Sequence, residues 1–156
     1  MRKKPHLTKA IPERRLPPLL RKAWYGLNQA FRRRIKKHPA TPDQFTVLRL
    51  LYESEAGGFS QRDLCRLMAS DPNTIGALVG RMSESGLVSK QSDERDKRTL
   101  RITITPKGRQ VFKSLRATAL KLQHEILAQL PPKRREQFLA DLETVAEACG
   151  EMADKK

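Results

Sequence analysis

Between Asp71 and Ser85 two kinds of residue alternate at helical spacing. Ile75, Leu78, Val79 and Met82 form one stripe. Asn73, Ala77, Gly80 and Glu84 form the opposite stripe, flanked by Thr74, Gly76 and Arg81. The second set is mostly small or hydrogen-bonding. Such groups suit the edges of base pairs: an asparagine amide pairs with adenine, an arginine fork with guanine, and an alanine or threonine methyl touches the thymine methyl. Small side chains also let a helix backbone come close to those edges. The N-terminus of this helix, opened by Pro72, is expected to favour a phosphate. Ser60 and Gln61, where a preceding short helix begins, complete the candidate contacts on this side.

A second group of charged residues runs from Ser92 to Arg98. Arg95, Lys97 and Arg98 have the reach for phosphates or a minor groove. Asp93, Glu94 and Asp96 cancel them, so the segment is formally neutral. Acids in such a place need local partners, for example by positioning an arginine.

The surrounding pattern supplies the elements that hold these groups. Ser60-Gln61-Arg62-Asp63 reads as a capping box ahead of a short helix with Leu64, Leu67 and Met68. Asp71-Pro72 opens the next helix, and Gly86 is placed to end it in a left-handed conformation. The apolar period then changes from helical to two. Leu87–Lys90 reads as a short strand, and Leu100, Ile102 and Ile104 as a better one. A short helix, a turn, a second helix and a charged two-stranded hairpin make a winged helix-turn-helix. In that arrangement a rigid neighbouring helix holds its partner at the angle needed to enter a major groove.

On either side the chain is helical. Leu20, Trp24, Leu27, Phe31 and Ile35 form a stripe from Pro17 to about His38. Thr41-Pro42-Asp43-Gln44 is a strong helix start, followed by Phe45, Leu48, Leu51 and Tyr52. Thr105-Pro106 begins a long helix expected to reach Leu130, which Pro131-Pro132 breaks. Phe138, Leu142, Val145, Cys149 and Met152 line a last helix whose stripe wants a partner. The expected fold is mainly α with a small β-hairpin wing.

The net charge of +15 on 156 residues favours a polyanionic partner. Residues 1–37 hold thirteen Lys/Arg against the single acid Glu13, so the surplus is concentrated at the N-terminus. Two cysteines, Cys65 and Cys149, stand far apart, and a reducing compartment fits. Cys65 sits in a core-like slot of its short helix, and Cys149 continues an apolar stripe, so both read as packing residues. His6, His38 and His124 are isolated in sequence, and no metal site is expected. No cofactor motif, membrane span, signal peptide or enzyme signature is seen. A non-enzymatic, cytoplasmic protein is expected.

The element order over residues 17–152 is similar to that of the MarR family. The most specific stretch is residues 59–108. It contains a D-x-R-D-x-R wing (Asp93, Arg95, Asp96, Arg98) and an R-I-x-I-T-x-x-G strand exit from Arg101 to Gly108. Upstream, TPDQFTVLRLL at 41–51 resembles the family's second helix. The resemblance implies a homodimer with first and last helices interlocked, and residues 71–85 in the major groove of double-stranded DNA. It implies Arg95 in the minor groove, and Asp93 bracing Arg81. It also implies a regulator, usually a repressor, released from a pseudo-palindromic operator by a small aromatic or phenolic effector. Trp24 and Tyr25 could line the effector pocket, although the position of Trp24 on the stripe fits plain core packing better.

The chain therefore divides into a basic flexible arm (1–16), a helical dimerisation region (17–40 and 106–156) and a winged helix-turn-helix lobe (41–105). The rival reading is a general basic nucleic-acid-binding protein, RNA-binding or nucleoid-like, without a ligand. Charge alone would support it; the change of period after Gly86 and the wing pattern do not.

Overall fold

The computed structural model describes residues 14–54, 57–92 and 98–155. Six helices and three strands follow the order α1 (Leu16–Arg34), α2 (Pro42–Glu53), β1 (Phe59–Ser60), α3 (Gln61–Leu67), α4 (Pro72–Glu84), β2 (Val88–Ser92), β3 (Leu100–Ile104), α5 (Pro106–Leu127) and α6 (Pro132–Asp154).

The helix starts follow from capping chemistry. The Thr41 hydroxyl accepts from the Gln44 N–H, and the Gln44 side chain accepts from the Thr41 N–H. Ser60 and Asp63 repeat the exchange at α3. Asp71 accepts from the N–H groups of Asn73 and Thr74 at α4. Thr105 accepts from the Gly108 N–H at α5. A proline stands in the first turn of α1, α2, α4, α5 and α6.

The strands form one antiparallel sheet in the order β1-β3-β2, with Phe59 opposite Ile102, and Val88 opposite Ile104. The wing is thus anchored by a third strand that the sequence reading lacked. β1 is two residues long, too short to show an alternating pattern. Two helix ends also differ from expectation. α1 stops at Arg34, and a turn leads from there to His38; α5 stops at Leu127, with a turn through Leu130.

The core lies among α2, α3, α4, the sheet and the first half of α5. Val47, Leu48, Leu64, Ile75, Val79, Met82, Ile102 and Phe112 are almost wholly buried there. α1 reaches this core through Phe31, and Ile35 joins it just past the helix end. Phe31 packs on Phe45 with ring centroids 5.0 Å apart, and Phe45 stacks on Phe112 at 5.5 Å. Tyr52 closes the column against Phe112 at 4.6 Å, with the Arg109 guanidinium over its outer face. Arg34 pairs with Glu125, tying α1 to the end of α5. α6 buries no residue at all.

Two expected packing residues are not buried within one chain. Trp24 is 62% exposed, because it lies above the point where α1 meets the core. Cys149 is exposed, on a helix that buries none of its residues against the described chain. Cys65 does pack against the core, half-buried as expected.

Candidate nucleic-acid interface

The stripe Ile75, Leu78, Val79 and Met82 is buried, which fixes the rotation of α4. The same rotation leaves Pro72, Asn73, Thr74, Ala77 and Arg81 exposed, with Gly76 and Gly80 half-buried between them. The side chains of Asn73 and Arg81 have no hydrogen-bond or ion-pair partner among the described residues, so both are available to an outside group.

The other candidates are partly engaged. The Thr74 hydroxyl donates to Asp71 at 2.6 Å, and the residue is otherwise exposed. The Ser60 hydroxyl donates to Asp63 at 2.7 Å within its capping box. The Gln61 amide nitrogen donates to the Pro72 carbonyl at 3.1 Å, across the turn between the two helices.

The expectation of a phosphate at the N-terminus of α4 is overturned. Pro72 has no N–H, and the Asp71 carboxylate takes those of Asn73 and Thr74. The hydroxyl and amide bonds from Thr74 and Asn73 hold the Asp71 carboxyl below the usual carboxylate range. A second anion would meet a carboxylate rather than free donors. An aspartate before the proline was the signal for this, since it caps from the same side that a phosphate would use.

The two glycines of the outer stripe differ. A side chain at Gly80 would meet nothing within 4 Å, so open surface lies there. A Cβ at Gly76 would come within 3.2 Å of the Gln61 amide nitrogen.

The far end of α4 is fixed as firmly as its start. Gly86 adopts φ +72. The Gly86 and Leu87 N–H groups close on Ser83 and Met82 at 3.0 and 2.8 Å. The Thr105 hydroxyl donates to the Gly86 carbonyl at 2.7 Å, and the Lys107 ammonium donates to the Ser85 carbonyl at 2.7 Å. Gly108 explains itself physically: a Cβ there would lie 2.2 Å from the Leu87 carbonyl oxygen. Sequence reading missed Thr105 and Lys107 as supports of α4. They lie some twenty residues from the helix end they hold, and no local pattern links them.

Arg98 is exposed at the described edge of the wing. Asp93, Glu94, Arg95, Asp96 and Lys97 lie outside the described residues, and so does the proposed brace from Asp93 to Arg81. Of the expected basic arm at 1–16, residues 1–13 likewise lie outside the described residues; Leu16 already belongs to α1.

Trp24 and Tyr25 stand exposed on α1, 62% and 66% accessible. A cleft of about 270 Å³ lies instead at the junction of α1 and α2, with Arg32, Ile35, Lys36, His38, Ala40, Thr41 and Pro42 in its wall. Among the described residues no three His, Cys, Asp or Glu side chains group as a metal site. No described helix is long and apolar enough to cross a membrane.

The model of the MarR family matches residues 39–99, from the turn before α2 to the wing. The transcriptional activatory protein BadR of Rhodopseudomonas palustris is 38% identical over 91 residues, covering 57% of this chain and 51% of BadR. The chain spans about half the length of the curated relatives it matches first. A probable transcriptional regulator from Pseudomonas aeruginosa superposes with a TM-score of 0.74 at 29% identity, covering 84% of this chain and 96% of that one. BpsR of Bordetella bronchiseptica superposes with a TM-score of 0.74 at 25% identity, covering 91% and 95%. The structure of BpsR concerns regulation of its DNA binding by 6-hydroxynicotinic acid. The family match falls on the lobe whose geometry is described above, and the superpositions extend over the terminal helices, so the chain is similar to winged helix-turn-helix proteins of the MarR family.

Proposed function

We propose that this protein is a dimeric, sequence-specific DNA-binding transcriptional regulator, a repressor that a small aromatic molecule releases from a pseudo-palindromic operator. One observation carries the DNA reading: α4 is rotated by its buried stripe so that Asn73, Ala77 and Arg81 face outward, with the asparagine and arginine side chains unengaged among the described residues. In this reading α4 enters the major groove, with Asn73 and Arg81 on base edges and the Thr74 and Ala77 methyls beside thymine. Arg95, Lys97 and Arg98 then belong to phosphates or the adjacent minor groove, and the surplus of cations at the N-terminus adds affinity without sequence preference.

Two copies are needed for a two-fold site. The exposed apolar side chains Leu16, Leu19, Trp24 and Leu27 of α1 and Phe138, Leu139, Leu142 and Met152 of α6 supply the surface that a second copy would cover. The effector reading rests on relatives such as BpsR. Trp24 and Tyr25 would form a pocket only with covering from the partner, because within one chain they face solvent.

The test is selection of duplexes from a randomised pool, followed by affinity measurements on the enriched and on a scrambled duplex. One dyad sequence is expected. Arg81→Ala and Asn73→Ala should each weaken the enriched site by about 1–3 kcal/mol and leave the scrambled one nearly unchanged. Uniform binding to every duplex would instead establish the general nucleic-acid-binding reading.

A further inference from the structure

We infer that Gln61 and Gly76 form a lock that sets the pose of α4 against α3, making Gln61 a positioning residue for sequence recognition rather than a DNA contact. The inference rests on the DNA reading above for its consequence, but on geometry alone for the lock.

Gln61 is the first residue of α3, and its amide nitrogen crosses to the Pro72 carbonyl in the first turn of α4. Pro72 and Gly76 are four apart and therefore share a face of α4. The Gln61 amide thus lies over that face. Gly76 leaves it the room: a Cβ at Gly76 would come 3.2 Å from the amide nitrogen and 3.9 Å from the amide carbon and oxygen. Few real side chains sit so close, so a larger residue at 76 requires the amide to give by a few tenths of an ångström, against its bond to Pro72. The three nearest atoms that such a Cβ would meet outside its own helix all belong to the Gln61 amide. The small residue at 76 is thus accounted for within the chain. Gly80, which no neighbour crowds, has no such account and remains the place where a groove could come close.

The consequence for recognition is mechanical. Beyond the bridging bond, the start of α4 is held by its own cap, Asp71, which fixes the helix to its preceding turn and not to α3. The bond from Gln61 is the described polar tie that crosses between the two helices at this end. Asn73 lies one residue past its acceptor and Ala77 one residue past Gly76. Loosening the lock would tilt or free the turn that presents both residues, while the phosphate-directed cations stay where they are. Discrimination between sequences should suffer, and general affinity should not.

The experiment is a double-mutant cycle on the full chain with Gln61→Met, which keeps length and removes the donor, and Gly76→Ala. Thermal unfolding reads the lock itself. Each single change is expected to lower the melting temperature by on the order of 2–3 °C, and the double change by no more than either. Binding is read on the duplex that the unaltered chain enriches from a random pool and on a scrambled duplex. Each single change should reduce the preference for the enriched duplex about five- to tenfold, with scrambled-duplex affinity within about twofold and an unchanged salt slope, and the double change should do no worse. Additive losses in unfolding or in preference overturn the lock. A loss on both duplexes with a shallower salt slope for Gln61→Met makes Gln61 a phosphate contact and overturns its positioning role. Should no duplex be enriched, it is the DNA reading that fails, and the unfolding cycle still decides whether the two residues are coupled.

Discussion

Phe112 and Phe138 are both phenylalanines on long helices, yet one is 2% exposed and the other 43%. The difference separates two regions of the molecule. Around Phe112 the central lobe closes on itself: α2 to α4, the sheet and the first half of α5 surround a common core. Toward the two ends of the chain, α1 ahead of its last turn and α6 carry apolar side chains that the described residues leave exposed. The lobe closes its core within one copy, whereas the terminal helices leave apolar side chains exposed. A folded, rigid reading head is therefore separable in energy from the surface that would pair two of them.

The largest expected effect tests that separation directly. Phe112→Ala should cost about 3–5 kcal/mol, because it opens a cavity under Phe45 and Tyr52, and the loss should be the same at any protein concentration. Phe138→Ala should shift the unfolding midpoint in a concentration-dependent way, by weakening association and not the lobe. Urea melts at two protein concentrations, with sedimentation of both variants, decide it. If Phe138→Ala lowers stability equally at both concentrations, the ends are not an interface and the contrast between the regions fails.

A smaller effect probes the seam between the regions. The Thr105 hydroxyl caps α5 and also donates to the Gly86 carbonyl, so it joins the long helix to the end of α4. Thr105→Val keeps the shape and removes these bonds together with the hydroxyl's contact to the Leu87 carbonyl at 3.1 Å. It should cost about 1–2 kcal/mol in the same melts. A neutral result would show that the backbone bond from Thr105 N–H to the Leu87 carbonyl, at 3.2 Å, suffices to hold the seam.

Acid should loosen both regions, through different carboxylates. Asp63 is held below its ordinary value of 3.8, first by the Ser60 hydroxyl, and Asp71 likewise, first by the Thr74 hydroxyl. Glu125 is lowered by its bond to Arg34. Groups depressed in the folded state stabilise it above the unfolded value. That contribution disappears as pH falls through the depressed range, here beneath about 4. Unfolding midpoints should therefore be little affected by these groups from pH 7 to pH 5 and drop below pH 4. The drop should be shallower in Asp63→Asn with Asp71→Asn. Glu125→Gln should alter only how α1 is tied to α5, and an equal change in lobe stability would contradict that assignment.

How much of this could be read beforehand depended on the range of the interaction. The capping residues Thr41, Ser60, Asp71 and Thr105, the buried stripe of α4 and the turn at Gly86 each express themselves within a few neighbours. Period and spacing therefore revealed them. β1 is too short to carry a period. The ties of Gln61 to Pro72 and of Lys107 to Ser85 connect separate elements, and only the folded chain brings them together. Trp24 shows the reverse error. Its stripe was legible, but a periodic apolar face reports that burial is wanted, and here the chain alone does not provide it.

The smallest expected effect comes from a helix end that gave no sign in the sequence. α3 and α4 finish with the same closing turn. At α4, Gly86 takes the left-handed conformation, with its own N–H on Ser83 and the next N–H on Met82. At α3 the left-handed residue is Ala69, at φ +47, with its N–H on the Arg66 carbonyl at 3.2 Å and that of Ser70 on Cys65 at 2.9 Å. A methyl in this conformation crowds the following carbonyl and costs about 1–2 kcal/mol, which glycine avoids. Glycine in turn loses more backbone freedom on folding, which returns part of the gain. Ala69→Gly should therefore stabilise the lobe by about 0.5–1 kcal/mol in a urea melt, at any protein concentration. The turn lies between the two helices that must keep a fixed angle, so the change should leave sequence preference intact. A loss of stability would mean that the alanine methyl packs usefully in the turn, and that the two helix ends, alike in their bonds, are held by different forces.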